Sequence, residues 1–423
     1  SKAYGDNRVL ESISLSVRRG ERIAIIGANF AGLSCARGLS ERYDVTVVDP
    51  WPHFEFLPNI HELLSDVKTP GLLRLSRQRL LQRMGHTFVQ EPVADIEADA
   101  GFLTTESGRK LEFDACVVAV GGVNNTFGLR GVEQFTVPFK CVDDSAAIGQ
   151  QLADLERRGK PVSVVVVGAG LAGVEALGEI LRRYRHRPGL ELHLVEGASR
   201  LVPSGPAALH EQITDKCRDW PVTFHLDAPV TGVTKTRVKL ASGASLRSDL
   251  TLWTGGAAPS PLLARSGLAP DTKSWAPVED CLQSTVYDNV FVAGDAADLP
   301  RPPAKQAYHA LAMGACAADN VDRFLRGRRL KRFRPGPEIS LISLGDLDTY
   351  LVLGQRLLAA GPALAPAKEL LFQANMAMLD PPTGITPVLD VSARYWQSLH
   401  KLALPRVWPP SSLGPLADIR LLP

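Results

Sequence analysis

What this sequence lacks narrows it first. No uninterrupted apolar run reaches the roughly 18 residues needed to cross a bilayer, although 45% of the residues are hydrophobic. No spanning helix is therefore expected, and the chain is read as soluble or peripheral. An excess of charge of one sign is also lacking, since 47 Lys and Arg stand against 45 Asp and Glu for a net +2. That balance gives no bulk electrostatic reason to expect nucleic acid as a partner. The six cysteines (Cys35, Cys116, Cys141, Cys217, Cys281 and Cys316) are scattered, with no C-x-x-C and no C-x4-C spacing. Zinc sites and disulfide frameworks need closer or more regular spacing. Neither a nucleophile–base pair nor metal-ligand spacing stands out, so the metal prediction is none. A chain of 423 residues is long enough for two to three domains with proper cores.

What is present is a pair of glycine-rich turns. Gly27-Ala28-Asn29-Phe30-Ala31-Gly32 follows the apolar run Ile23-Ala24-Ile25-Ile26 and opens a helical stretch from Leu33 to Leu39. Gly168-Ala169-Gly170-Leu171-Ala172-Gly173 follows the run from Val162 to Val167 and opens a stretch from Val174 to Arg183. Each is followed by a second apolar run that ends in an acid, Asp49 with Pro50 behind it in the first case and Glu196 in the second. In such a fingerprint the glycines permit a tight turn and a close backbone approach to a pyrophosphate at the helix N-terminus. The acid accepts bonds from a ribose hydroxyl. Two fingerprints in this context predict a protein that holds two dinucleotides at once. A third element, Val290-Phe291-Val292-Ala293-Gly294-Asp295-Ala296, ends a short strand in Gly-Asp, which can set a carboxylate against a ribityl–phosphate chain.

This combination resembles the two-dinucleotide-binding flavoprotein superfamily of pyridine nucleotide-disulfide oxidoreductase type, over roughly residues 21 to 355. The likeness is greatest to its branch of type II NADH:quinone dehydrogenases and AIF-like ferroptosis suppressors. The resemblance implies that the first fold holds FAD through Gly27, Ala28, Asn29, Phe30, Ala31, Gly32, Asp49 and Pro50, and that Gly294 and Asp295 close on it. It further implies that Val93 covers the adenine, and that Ala119 and Gly121 stand where relatives carry Ala-Thr-Gly beside FAD. Gln306 and Ala307 would cap the pyrimidine edge of the flavin. NADH, preferred to NADPH because Glu196 would repel a 2′-phosphate, would lie on Gly168, Gly170, Leu171, Gly173 and Glu196, with Gly255 ending the last strand of that fold. Glu175 would sit near nicotinamide and flavin, Gln306 would line a quinone pocket, and Lys140 belongs to a Phe-Lys-x-x-x-Asp pattern of the quinone-reductase branch. These three are the candidate catalytic residues. Asn29 departs from the family, which carries Gly there because a Cβ crowds the pyrophosphate. The branch with an active-site disulfide is excluded, because Trp51 to Pro58 contains no cysteine.

The expected architecture is α/β. Two Rossmann-like three-layer domains are followed by a C-terminal α+β domain, and the NAD(P)H-binding domain is inserted into a discontinuous FAD domain. The boundaries are 1–20 (an extension of unknown role), 21–136 and 282–335 (FAD), 137–281 (NAD(P)H) and 336–423 (C-terminal domain and tail). Residues 1–20 read like the hairpin leading into an ATPase phosphate loop, but the loop continues Gly32-Leu33-Ser34 without its lysine, which excludes ATP hydrolysis. Leu72 to Met84 is predicted helical with a basic face, and Leu357 to Leu379 apolar and helical with interruptions at Pro362 and Pro366. The predicted activity is hydride transfer from NADH to FAD and then electron transfer to a quinone or other small acceptor. The alternatives are a ferredoxin- or rubredoxin-type reductase and a degenerate scaffold. Cytoplasmic placement is expected, with peripheral membrane contact on the cytoplasmic face through the C-terminal part, which follows the basic run Arg326 to Arg334. A homodimer or protein partner completes the expectations.

Overall fold

The computed structural model describes residues 20–380 together with 3–4, 7–8 and 420–421. Two five-stranded parallel sheets dominate it. The first runs, in spatial order, Val290–Val292, Ala115–Val118, Arg22–Ile26, Asp44–Val48 and Thr87–Val89. The second runs Val137–Pro138, Leu250–Trp253, Val162–Val167, Leu190–Val195 and Val222–His225. Parallel strands are covered by helices on both faces, which is why the central ones read as unbroken β-branched runs rather than alternating patterns. Every residue of Val162–Val167 is buried.

Three antiparallel sheets of three or four strands stand beside them in the α/β architecture. Val93–Glu97, Phe102–Thr105 and Lys110–Glu112 form one, and Val230–Thr234, Arg237–Leu240 and Ser245–Arg247 another. In the third, Ile339–Leu344, Asp348–Leu353 and Arg356–Ala360 pair in turn, and Arg420–Leu421 pairs with the last of them. Near the start of the chain, Ala3–Tyr4 and Asn7–Arg8 pair antiparallel.

Small residues let elements approach closely at two places that shape the site. Helix Phe30–Gly38 lies on helix Ala307–Leu325, and a Cβ on Gly314 would stand 2.1 Å from the Ala31 carbonyl oxygen. Helix Leu171–Tyr184 meets the turn of the third antiparallel sheet backbone to backbone, since a Cβ on Gly178 would stand 2.3 Å from the Gly345 amide. Only glycine tolerates either approach.

Two predicted helices are corrected. The stretch from Leu72 to Met84 divides into a 3-10 turn Pro70–Leu73, a strand Arg74–Ser76 and a helix Arg77–Arg83 that begins only after Ser76 caps it. Leu357 lies in the strand Arg356–Ala360, which pairs with Asp348–Leu353, and the helix is confined to Ala365–Leu379 with Pro366 in its first turn. A short apolar run carries no periodicity that separates strand from helix, so pairing with a neighbour decides it.

Candidate active site

The first fingerprint turn is held by its acid. Gly27 has φ +92° and a Cβ there would stand 2.4 Å from the Ala119 carbonyl oxygen, so glycine is required. Asp49 is buried at the end of its strand and accepts a hydrogen bond from the Ala28 amide at 2.8 Å and from the Trp51 amide at 2.9 Å. Arg77 donates to the same carboxylate at 2.5 Å. Burial pushes the Asp49 carboxyl up, against the opposing charge of Arg77. Phe30, Ala31 and Gly32 open the helix, all three buried. Asn29, the departure from the glycine pattern, sits at the N-cap with φ −101°, outside the left-handed region that favours glycine. Its side-chain oxygen accepts from the Glu55 amide at 3.2 Å and so ties the turn to the strand His53–Glu55.

The second turn repeats the arrangement. Gly168 has φ +100°, and a Cβ would stand 2.6 Å from the Thr254 carbonyl oxygen. Glu196 accepts from the Ala169 amide at 2.7 Å and from the Ala198 amide at 2.9 Å. Gly170 faces open space, leaving room over the N-terminus of the helix that Leu171 begins. Gly173 packs against the turn, where a Cβ would stand 1.9 Å from the Gly168 carbonyl oxygen. Arg200 donates to the carbonyl oxygens of Pro203 and Gly205, so its charge is engaged within its own loop. Gly255 lies against the Trp253 indole beyond the last strand.

The late Gly-Asp meets the first fold. Gly294 has φ +73° and a Cβ would touch that of Ala31 at 3.1 Å. Lys305 donates to the Asp295 carbonyl oxygen at 2.6 Å and lies over the Trp275 ring. Burial lowers the Lys305 ammonium to about 8, with Asp295 and Asp298 opposing, and burial likewise lowers Lys140 against the charge of Asp295. Gln306 precedes the helix begun by Ala307 and donates to the Ser340 hydroxyl at 2.9 Å. His309 is buried beside Gly294, Asp295 and Lys305 at a cleft, with both ring nitrogens unpartnered among the described residues. Open backbone at Gly121 and Gly170, acids bound to turn amides and an unpaired imidazole at a cleft all fit bound dinucleotides.

Glu175 is the fifth residue of the second fingerprint helix, just past the first turn where the sequence placed it, and its partners come from elsewhere. Lys368 of helix Ala365–Leu379 donates to it at 2.5 Å, the Ser343 amide at 3.3 Å, and His61 stands 3.7 Å away. Around it lies a buried lattice in which Lys68 bonds Glu369 at 2.5 Å and Glu62 at 3.2 Å, and Arg182 stands 3.4 Å from Glu179. Burial raises the Glu175 carboxyl against the pull of Lys368, and raises Glu179 to about 7 against Arg182. Burial and the charges of Lys368, Arg182 and Lys68 hold His61 well below its usual value, so the imidazole stays neutral. Burial also raises Glu62, but Lys68 and Lys368 outweigh it and the carboxyl ends below its ordinary value.

The sequence expectations separate accordingly. Gly27, Asp49, Gly294 and Asp295 lie about the first turn, and Gly168, Gly170, Gly173 and Glu196 about the second. Val93 begins the first strand of the antiparallel sheet Val93–Glu97. Behind Asp49, Phe54 and Phe56 are buried edge-on against Phe30, while Trp51 is exposed. Sequence reasoning missed Arg77, because a basic residue in a helical stretch reads as solvated surface. It missed Lys368, His61 and Lys68 because their partners are far away in the chain. Ser76 as an N-cap, placing Arg77 first in its helix, was the available signal for the former.

Comparison with known proteins agrees with this geometry. Among curated sequences, demethylphylloquinone reductase NdbB of Synechocystis sp. is 26% identical over 371 residues, covering 83% of this chain and 91% of that protein. The type II NADH:quinone oxidoreductase of Haemophilus influenzae is 24% identical, over 77% of this chain and 85% of its own length. Among solved structures, NDH2 from Plasmodium falciparum in complex with NADH matches with a TM-score of 0.77 at 15% identity, over 90% of this chain and 98% of that one. The sulfide:quinone oxidoreductase of Aquifex aeolicus matches with a TM-score of 0.76 at 17% identity, over 95% and 97% of the two chains. The sequence pattern of the pyridine nucleotide-disulphide oxidoreductases spans residues 21–314, and with it two parallel-sheet folds, each closed by an acid on its turn amide. The chain belongs to the pyridine nucleotide-disulphide oxidoreductase family.

Proposed function

We propose that this protein is an FAD-dependent NADH dehydrogenase that passes electrons to a quinone. The observation that carries the reading is the pair of acid-closed turns, Asp49 on Ala28 and Glu196 on Ala169, which provides two dinucleotide sites in one chain. Relatives that bear the names demethylphylloquinone reductase and type II NADH:quinone oxidoreductase support the choice of donor and acceptor. FAD, when bound, supplies a flavin able to accept a hydride from NADH and release two electrons to a quinone. Gly27, Ala28, Asp49, Gly294 and Asp295 would hold it. Gly168, Gly170, Gly173 and Glu196 would hold NADH, and the carboxylate of Glu196 disfavours a 2′-phosphate. Residues 21–136 and 282–335 would make up the FAD domain, 137–281 the inserted NADH domain and 336–423 the C-terminal part.

Glu175 and Lys368 join the second fold to the C-terminal helix and keep a paired carboxylate and ammonium at the meeting point of the two folds. Lys140 and Lys305 place positive charge around Asp295. A peripheral attachment is part of the proposal. Helix Ala365–Leu379 buries Phe372, Met376 and Leu379 together with Lys368, Glu369 and Gln373, and still leaves Leu370, Leu371 and Met378 53%, 54% and 43% exposed. Exposed apolar side chains on this helix, in a chain that also carries the basic run Arg326 to Arg334, suit an anionic membrane surface. Among the described residues no helix is long and apolar enough to cross a membrane.

Anaerobic titration of the purified protein with NADH, followed by addition of a short-chain quinone, tests the enzyme reading. Yellow absorbance that bleaches with NADH and returns with quinone is expected. A colourless protein that binds no nucleotide would identify a scaffold, and a bleached protein that ignores quinone but reduces an iron–sulfur protein would identify a ferredoxin-type reductase. Vesicle co-sedimentation at low and high salt tests the attachment, which fails if Leu370→Glu with Leu371→Glu leaves binding unchanged.

A further inference from the structure

We infer that Arg77 is a positioning residue of the flavin site, fixing the Asp49 carboxylate so that the first fold retains its dinucleotide while the second exchanges one. The inference rests on the reading of the first fold as the FAD site. Arg77 is only 4% exposed. Its Nε donates to the Ala28 carbonyl oxygen at 2.8 Å, and its Nη1 to Asp49 Oδ1 at 2.5 Å and to the Trp51 carbonyl oxygen at 2.7 Å. Asp49 Oδ2 in turn accepts from the Ala28 amide. Both polar groups of the Ala28 residue are therefore bound by one guanidinium–carboxylate pair, and the turn, the acid and the segment after the acid become one rigid unit.

The second fold is an internal control. Glu196 accepts from the amides of Ala169 and Ala198, and Arg200, the nearest arginine in sequence, spends its guanidinium on Pro203 and Gly205. The two turns thus share the acid-to-amide bond and differ in the clamp. A cation in the first turn of a helix is disfavoured by the helix dipole, and a buried guanidinium costs several kcal/mol to desolvate unless paired. Arg77 accepts both penalties, since it begins the helix Arg77–Arg83, and its planar fork matches three acceptors that the point charge of a lysine would not satisfy together. A carboxylate already oriented loses less freedom on accepting a ribose hydroxyl, which lengthens the residence of the ligand. An NADH site must release its product at every turnover, and a weaker hold suits it.

The test measures equilibrium binding of FAD to deflavinated protein for the wild type, Arg77→Lys, Arg77→Met, Asp49→Asn and the double variant Asp49→Asn with Arg77→Met. NADH binding to the same apoproteins is the second readout. Arg77→Met is expected to raise the FAD Kd by about tenfold or more, the loss of one charge-assisted interaction. Arg77→Lys should fall between it and wild type, and NADH affinity should move by less than about twofold in both. In the Asp49→Asn background the Arg77→Met change should cost less than about threefold, because its partner is already neutral. An unchanged FAD Kd in Arg77→Met, an equal loss in the Asp49→Asn background, or an equal loss of NADH affinity would overturn the inference. If Arg77→Met does not fold, Arg77→Lys decides, and a Kd within about twofold of wild type counts against the clamp. A wild type that takes up no FAD defeats the flavin reading itself, whereas normal uptake with indifferent variants defeats only the role of Arg77.

Discussion

Lys368 donates to Glu175 across 193 residues of sequence, and the contact joins the C-terminal helix to the second fingerprint helix just past its first turn. Both side chains are largely withdrawn from solvent. Lys368→Met should destabilise the protein by about 3–5 kcal/mol, the cost of leaving a buried carboxylate unpaired. The double variant Lys368→Met with Glu175→Gln should recover part of that loss. Burial already sets the Glu175 carboxyl above its ordinary value, and loss of Lys368 moves it further up. A carboxyl raised in the folded state favours folding at low pH and loses that advantage as pH climbs through its folded pKa. Denaturation midpoints should therefore show a larger Lys368→Met deficit near pH 8 than near pH 5.

Glu179 supplies a second pH signature. Its carboxyl is raised to about 7, first by burial and against the charge of Arg182. The folded protein therefore binds a proton there that the unfolded chain releases near pH 4.5. The associated stability is fully present below that value and drains away as pH rises towards 7, at up to about 1.4 kcal/mol per pH unit. Glu179→Gln removes the slope. Thermal unfolding of wild type and variant should diverge in favour of the variant between about pH 5 and pH 7, and parallel curves over that range would count against a raised carboxyl.

For the second fold, Glu196→Ser should narrow the preference for NADH over NADPH, read as a ratio of kcat/KM values, by about tenfold or more. The Ala169 and Ala198 amides that now bond Glu196 remain available to a phosphate, which is why relief of repulsion should suffice without an added arginine. A wild type that prefers NADPH would contradict the assignment.

For the first fold, Asp49→Ala and Asp295→Ala should each lower flavin content per protein. The larger effect is expected from Asp49→Ala, because it also releases the Ala28 amide and Arg77. Full flavin absorbance in both would remove these residues from the site.

The glycine turns were legible because their constraint is local: a positive φ and a close carbonyl, as at Gly27 and Gly168, leave only one residue type free to serve. Their acids were legible for the same reason, since the end of the next strand falls at a set distance along the chain. Asn29 looked damaging in sequence because a Cβ was expected in the path of a phosphate. In the fold its side chain turns to the Glu55 amide, a partner that sequence order does not announce. The Lys68–Glu62–Glu369 lattice was illegible for a stronger reason. Lysine and glutamate read as surface wherever the sequence shows no partner, and only tertiary contact, with the Phe372 ring among the neighbours of Lys68, makes them interior. The strand Arg356–Ala360 failed on period, as an apolar run fits either element until a neighbour pairs with it.

The order of strands in the two large sheets sets an order of events for the growing chain. All five strands of the second sheet lie between Val137 and Trp253, whereas the first sheet waits for Val290–Val292 to cover Ala115–Val118. Until that strand is made, a wholly apolar edge stands unpaired, the kind of surface that recruits other chains. The fold in the middle of the sequence is thus complete before the one that brackets it. A nascent chain halted between Trp253 and Val290 should resist proteolysis around Val162–Val167 and be cleaved around Ala115–Val118, with the burden on chaperones concentrated in that short interval of synthesis.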